Sequence, residues 1–427
     1  MRNIWKDGVF GVVTGDALGC PVQFEDRSEV AKHPVTNMRG NGTFNLPAGT
    51  WTDDSSMTLA LLESICRTDA LDLKDIMNNF VDWLDNGAFT PYGHSFDIGN
   101  GTIRAITAYK HRGKPRHCGG TSEWNNGNGS LMRILPACLF CYRKGLTDSD
   151  AIREIHAVGS LTHAHIRANI ACGLYYFMIC EVLDGKDELI NRLQKGLDRG
   201  FSFYEKTLAD HENILYYNRL RDLKQFSREP AENIKSTGYV VDTLEAVVWS
   251  LITTDSFEKA LLKAVNLGDD SDTVGAITGG LAALFYGFDA IPTQWIQELR
   301  KRESIETLCE KTDCLVNHAG GMHALVSELR KEEINDNLIA EVVRDIRNCS
   351  ETHEDKTVIY TAAKEIWEKW PEERRNHNLQ NVHCRKCHRL VTLEPGYTVS
   401  YNLNWHAHLF LSGKCSNCGA EISKACE

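Results

Sequence analysis

The chain has 427 residues, 42% hydrophobic and 25% charged, which is enough for a large core and more than one domain in a soluble globular protein. A formal net charge of −11 excludes a body that binds phosphate backbones broadly and without specificity, and leaves room only for a local basic patch. The longest apolar run, Val274 to Tyr286, has 13 residues and is too short to span a membrane, so no membrane partner is expected.

In chain order, the first apolar run, Val9 to Val13, is broken by Gly11 and soon followed by Asp16, too short for an export signal. Without such a signal, most of the fifteen cysteines read as reduced, buried small hydrophobes, and the expected compartment is the cytoplasm. Asp16 reads as a structural residue in a turn between helices. Helical spacing follows in Met57, Leu61, Leu62 and Ile65, in Ile76, Phe80 and Leu84, in Ile166, Ile170, Leu174 and Phe177, and in Val240, Leu244, Val247 and Leu251. Start signals stand at Asp53, at Thr147-Asp148 and at Pro292. Two long polar, glycine-rich loops, His94 to Gly101 and Gly119 to Ser130, leave backbone N–H groups free to meet a ligand.

The predicted fold is therefore an all-α, compact multi-helix body over 1–308. A helical extension and linker over 309–378 follows, with apolar positions Ile339, Val342, Val343 and Ile346 and a polar linker from Pro371 to Asn378. From 379 to 427 the period changes to two, in Tyr397, Val399, Tyr401 and in His406, His408, Phe410, which predicts a small β module.

Two acidic clusters stand out, Thr52-Asp53-Asp54 and Asp269-Asp270-Ser271-Asp272-Thr273. Each has a plain reading, first-turn charges that favour a helix dipole or a capping loop. Three carboxylates in four residues exceed what a cap needs. Dense carboxylates are costly to bury unless a cation neutralises them, and hard divalent cations prefer carboxylate and hydroxyl oxygens. Asp270 and Asp272, two apart, point the same way in an extended segment, while Asp53 and Asp54 diverge by about 100° at a helix start. Gly275, Gly279 and Gly280 give the helix after the second cluster a bare face, open to another backbone or a ligand.

The motifs resemble those of the ADP-ribosylglycohydrolase family, in an ordered set. It runs through Gly15-Asp16-Ala17-Leu18-Gly19, Gly49-Thr50-Trp51-Thr52-Asp53-Asp54, Phe96-Asp97-Ile98-Gly99-Asn100 and Asn126-Gly127-Asn128-Gly129-Ser130-Leu131-Met132-Arg133. It continues with Leu161-Thr162-His163, Gly238-Tyr239-Val240-Val241-Asp242-Thr243 and Gly268-Asp269-Asp270-Ser271-Asp272-Thr273. The resemblance implies a cleft with two Mg²⁺ or Mn²⁺ ions held by Thr52, Asp53, Asp54, Asp270, Asp272 and Thr273. It further implies Asp97 as a catalytic acid or base, an Asn128-Gly129-Ser130 turn cradling a diphosphate through backbone N–H groups, His163 near the phosphates or distal ribose, and Tyr239 near the adenosine. Asn100, in the Asp97 motif, joins the substrate contacts. Read without the resemblance, His163 is equally a helix-start hydrogen-bonding residue and Tyr239 equally core packing.

One position departs from the family pattern. Gln23, in Pro21-Val22-Gln23-Phe24-Glu25, stands where many members carry a glutamate and cannot ionise. Glu25 substitutes for it through a loop shift, or Asp53 or Asp97 does the proton work alone. The activity implied is hydrolysis of the glycosidic bond between ADP-ribose and an arginine, serine or other acceptor on a protein or other target. The alternative is a pocket on the same scaffold that binds ADP-ribose without cleaving it, which Gln23 motivates.

In the tail, Cys384-x-x-Cys387 and Cys415-x-x-Cys418 are separated by 27 residues, a spacing that predicts one structural Zn²⁺ in a zinc-ribbon-like module. Metal would supply much of the folding free energy of so small a unit. Tyr401 and Trp405 are candidates for contact with a protein or nucleic-acid partner.

Overall fold

The computed structural model describes residues 2–208 and 211–313, and further on 367–368, 372–380, 382–384, 386–387, 389–393, 397–402 and 408–425. The chain divides into two units, Met1–Asp313 and Cys314–Glu427. The helical positions predicted at Ile339 to Ile346 and the residues Pro371, Trp405 and His406 lie outside the described residues.

The first unit is helical. Its helices are α1 Ile4–Gly19, α2 Arg27–Val30, α3 Asp53–Thr68, α4 Leu73–Asn86, α5 Asn100–Arg112, α6 Leu135–Arg143, α7 Asp148–Gly159 and α8 Ile166–Asp184. They continue with α9 Leu189–Thr207, α10 Glu212–Leu215, α11 Leu223–Phe226, α12 Val240–Ile252, α13 Phe257–Val265, α14 Ser271–Tyr286 and α15 Thr293–Glu298. A further helix covers 302–313, so residue 308, the expected end of the body, falls in its interior.

Local chemistry sets the ends. Asp72 caps α4 by accepting from the N–H groups of Lys74 and Asp75, and Gly87, at φ 68°, ends it in the left-handed region. Thr147 caps α7 through the N–H of Asp150. The apolar stripe of α3 (Met57, Leu61, Leu62, Ile65) and the whole middle of α8 are buried. By length and composition α8 is apolar enough to cross a membrane, which the run lengths had not revealed. Here it is a core helix, with 78% of its apolar window buried.

The crossing that matters for the site joins α1 to α14. Gly11 lies against Gly279, Gly15 against Gly275 and Gly19 against Asp272, so the helices run antiparallel with their backbones in contact. A Cβ on Gly19 would come within 2.5 Å of the Cα and N of Asp272. The bare face predicted from Gly275 and Gly279 therefore admits a backbone, while Gly280 faces the side chains of Leu135 and Tyr175. This contact sets the C-terminal end of α1, with Asp16, beside the N-terminal end of α14. Asp16 lies inside α1 rather than in a turn.

In the second unit, β1 Val382–Cys384 pairs antiparallel with β2 Arg389–Val391. β3 Thr398–Asn402, β4 His408–Lys414 and β5 Glu421–Ala425 form an antiparallel sheet in that order. Val382, Val391, Leu393, Val399, Leu411 and Ile422 are buried. The predicted polar linker is in part a helix, Glu372–Leu379. Its first two residues, Glu372 and Glu373, suit the N-terminal end of the helix dipole.

Candidate active site

Three helices bring carboxylates to one point. Asp16 of α1, fully buried, accepts from Thr52 N at 2.9 Å, Thr52 Oγ1 at 3.0 Å, Ser55 N at 3.0 Å and Ser55 Oγ at 2.5 Å. It thereby caps α3, whose own N-cap residue Thr52 makes no capping bond. Thr52 Oγ1 also lies 3.4 Å from Asp54 Oδ2 and 3.3 Å from Asp272 Oδ2 of α14, and Thr273 Oγ1 lies 3.4 Å from Asp54 Oδ2. Asp54 and Asp272, far apart in sequence, thus share one hydroxyl.

A hydroxyl has one proton to give. It cannot satisfy three carboxylates, and no lysine or arginine among the described residues forms an ion pair with Asp16, Asp53, Asp54, Asp97, Asp270 or Asp272. Asp54 Oδ1 and Asp97 Oδ2 are buried without a hydrogen-bond partner among the described residues. Burial first, and then neighbouring carboxylates, push Asp53, Asp54 and Asp272 well above the ordinary carboxylate range. Burial raises Asp270 and Asp97 as well, and lifts Asp16 to about 7 against the hydrogen bonds that favour its charged form.

The acids floor a cavity of about 570 Å³, lined in part by Gln23, Asp53, Asp54, Asp97, Asn100, Asn128, Gly129, His163, Asp270 and Thr273. Thr52, Asp272 and Ser130 lie beneath the wall, almost wholly buried. Asp97 sits at φ 55°, on a loop held by Phe96 against Phe44, ring centroids 5.4 Å apart. Buried Gln23 lines the cavity with Asp97 and Asp270 and favours the charged forms of both carboxylates. Glu25 does not line the cavity. Its backbone carbonyl accepts from Asp269 N at 2.8 Å, while Phe24 N donates to Asp269 O at 2.7 Å. The place of the expected glutamate is thus filled by Gln23, and the loop shift that would bring in Glu25 is not present.

The loop over 126–130 differs from expectation in detail. Asn128 N donates to Gly238 O at 3.1 Å, so this amide is not free for an anion. The Asn128 side chain donates to Asp270 Oδ2 at 2.6 Å and to Thr243 Oγ1 at 2.9 Å, bracing the second acidic cluster. Gly127 and Gly129 line the cavity. Tyr239 does not: its hydroxyl meets Arg167 at 3.3 Å, although its backbone bridges to Gly127.

His163 lines the cavity from the far side. Its Nδ1 lies 2.9 Å from Thr162 Oγ1, which accepts from the fully buried Arg133 Nη2 at 2.8 Å. With no other acceptor in reach among the described residues, the Thr162 proton goes to His163 Nδ1, so Nε2 carries the ring hydrogen and His163 is a donor. Burial, assisted by the Arg133 charge, lowers its pKa to about 3 and keeps it neutral. Arg133 and Thr162 lie in motifs already singled out, but no sequence signal showed that they act through His163. Arg104 and Trp124, which line the cavity, were unassigned, and Asp16 was read only as a structural turn residue.

A profile of ADP-ribosylglycohydrolase sequences matches residues 5–325. The chain belongs to the ADP-ribosylglycohydrolase family. It is similar to the ADP-ribosylarginine hydrolase Tri1 of Serratia proteamaculans, 33% identical over 72% of this chain and 78% of the relative. The ADP-ribosyl-[dinitrogen reductase] glycohydrolase of Rhodospirillum rubrum is 32% identical over 73% of this chain and 94% of its own length. A solved structure titled ADP-ribosylglycohydrolase-related protein complex superposes with a TM-score of 0.58 at 31% identity, covering 73% of this chain and 97% of that one. The helical body has the family fold, and the chain is a glycohydrolase.

The tail carries a second cluster, outside the family match. The sulfurs of Cys384, Cys387, Cys415 and Cys418 all lie within 4.8 Å of one another, with Cys384 to Cys418 at 3.6 Å and Cys387 to Cys415 at 3.9 Å. Backbone N–H groups of Cys387 and Lys386 help hold the Cys384 thiol down to about 6. Four sulfurs so placed suit a tetrahedral, closed zinc site.

Proposed function

We propose that this glycohydrolase removes ADP-ribose from modified arginine side chains of proteins, in the cytoplasm, using two divalent cations. The observation that carries the metal reading is the Thr52 hydroxyl shared among Asp16, Asp54 and Asp272, with Asp54 Oδ1 unpartnered beside it. That donor set, oxygen-rich and without a counter-charge among the described residues, fits Mg²⁺ or Mn²⁺. Thr52, Asp53, Asp54, Asp270, Asp272 and Thr273 would hold the ions, which when bound supply charge neutralisation and Lewis-acid anchoring of ribose hydroxyls. The arginine acceptor rests on the names of the relatives from Serratia proteamaculans and Rhodospirillum rubrum.

The residues divide the remaining work. Asp16 fixes the start of α3, and so the directions of Asp53 and Asp54. Asn128 holds Asp270 from the loop side. Asp97, kept easily protonated by burial, gives a proton to the leaving guanidine or takes one from the attacking water. Gln23 favours the charged forms of Asp97 and Asp270 without competing for the proton. Neutral His163 donates from Nε2 to an oxygen of the ADP-ribosyl group.

The test is release of ADP-ribose from arginine-ADP-ribosylated protein, with and without Mg²⁺ or Mn²⁺. Asp53→Asn and Asp270→Asn should lose turnover and bind Mn²⁺ more weakly in calorimetry. Asp97→Asn should lower kcat far more than it raises KM. Wild-type turnover in chelator, or from the first two variants, would remove the metal assignment.

A further inference from the structure

The segment over 98–122 contains no Asp or Glu but carries Arg104, Lys110, Arg112, Lys114 and Arg116, with His111 and His117, in a chain of net charge −11. All seven side chains are exposed. Lys110 pairs with Asp85, and Arg112 donates to the carbonyl of His117. Arg104, Lys114 and Arg116 have no carboxylate partner among the described residues. Basic residues in the last turn of α5 suit its dipole, but Arg104 lies near the opposite end, where a cation is disfavoured. The dipole does not account for it.

Position gives this charge a direction. Arg104 lines the active-site cavity and also a shallow hollow on the outer face of α5, shared with Ile103, Thr107, His111 and Arg112. From Arg104 to Arg112 the positive face runs about 12 Å along the helix, away from the cavity mouth. Exposed Ile103 adds an apolar contact on the same face. A protein whose ADP-ribosyl group enters the cavity brings its surface to the mouth that Arg104 lines.

The geometry points to the outer face of α5 and the turn after it as the docking surface for the modified protein, fitting an acidic stretch beside the ADP-ribosylated residue. This rests on the cavity being the ADP-ribosyl site. A nucleic acid is the poorer fit. The face is short, and the rest of the chain is more acidic than the whole, so a long phosphate backbone would be repelled beyond it.

The test uses the full chain and paired peptides bearing one arginine flanked by Asp and Glu or by Lys. Binding of the unmodified peptides is followed by fluorescence anisotropy, and hydrolysis of their ADP-ribosylated forms is followed by ADP-ribose release. The wild type should prefer the acidic peptide by about tenfold in both assays at low salt, and the preference should shrink as salt rises. Arg112→Glu with Arg116→Glu, neither residue lining the cavity, should erase the preference while ADP-ribosyl-agmatine is hydrolysed at the wild-type rate. Equal binding of both peptides, or a preference retained in the double variant, overturns the proposal. So does a single-stranded oligonucleotide that binds this face when the acidic peptide does not. If the acidic peptide binds by this face but no ADP-ribose is ever released, the functional reading fails and the docking surface stands.

Discussion

Gly19→Ala tests whether the backbone contact between α1 and α14 sets the site. At Gly19 φ is −81°, so alanine meets no backbone strain there. The new Cβ would lie 2.5 Å from both N and Cα of Asp272, whereas ordinary contacts begin at 3.4 Å. The two backbones must part by about 0.9 Å, and the part that moves carries a proposed metal ligand. Overpacking of this kind costs about 2 kcal/mol, or about 3 °C in Tm for a unit of this size. A ligand misplaced by nearly 1 Å should lower kcat/KM on the order of 10²-fold. Gly8→Ala, in the same helix, is the control. Its Cβ would meet only the tips of Leu135 at 3.0 Å and Leu284 at 3.4 Å, which can yield. Differential scanning calorimetry and ADP-ribose release would be run on both. A Gly19→Ala protein as stable and as active as Gly8→Ala would refute the argument.

Asp16 has a folded pKa of about 7 against an ordinary 3.8, so the native state binds the extra proton between these values. Its contribution is therefore present below about pH 4 and lost as pH rises towards 7, at up to about 1.4 kcal/mol per pH unit. Buried Asp53, Asp54 and Asp272, shifted the same way, add to the loss. In chelator, the urea midpoint should fall between pH 5.5 and 7.5, and Mg²⁺ should restore it; a rising midpoint in chelator would contradict the account. Thr162→Val removes the hydroxyl that directs His163, so ¹⁵N spectra of the imidazole should lose the pure Nε2–H form and ADP-ribose should bind about tenfold more weakly, with Thr162→Ser close to wild type. An Nδ1–H ring in the wild type would sink that assignment. Elemental analysis should find one zinc per chain, absent from Cys384→Ser with Cys415→Ser; an unchanged zinc content in that variant would show that the metal lies elsewhere.

The sequence by itself determined the all-α character of the body and several of its helices, the change of period near residue 379, the cysteine spacing and the two acidic clusters, because each is a local pattern of spacing and residue type. The ordered motifs also named the family. Only the tertiary structure decided what the acids face. Asp16 looked like a turn residue until α1 packed on α14 and pointed it at Thr52 and Ser55. Asn128 looked like a phosphate-loop amide until Gly238 took its N–H and Asp270 its side chain. Gln23 and Glu25 could exchange roles on paper, but the pairing of residues 24 and 25 with Asp269 fixed which one enters the cavity. The physical reason is the same in each case. A side chain's hydrogen-bond partner is set by where distant backbones touch, and glycine contacts between helices carry that information in three dimensions rather than in any local run of residues.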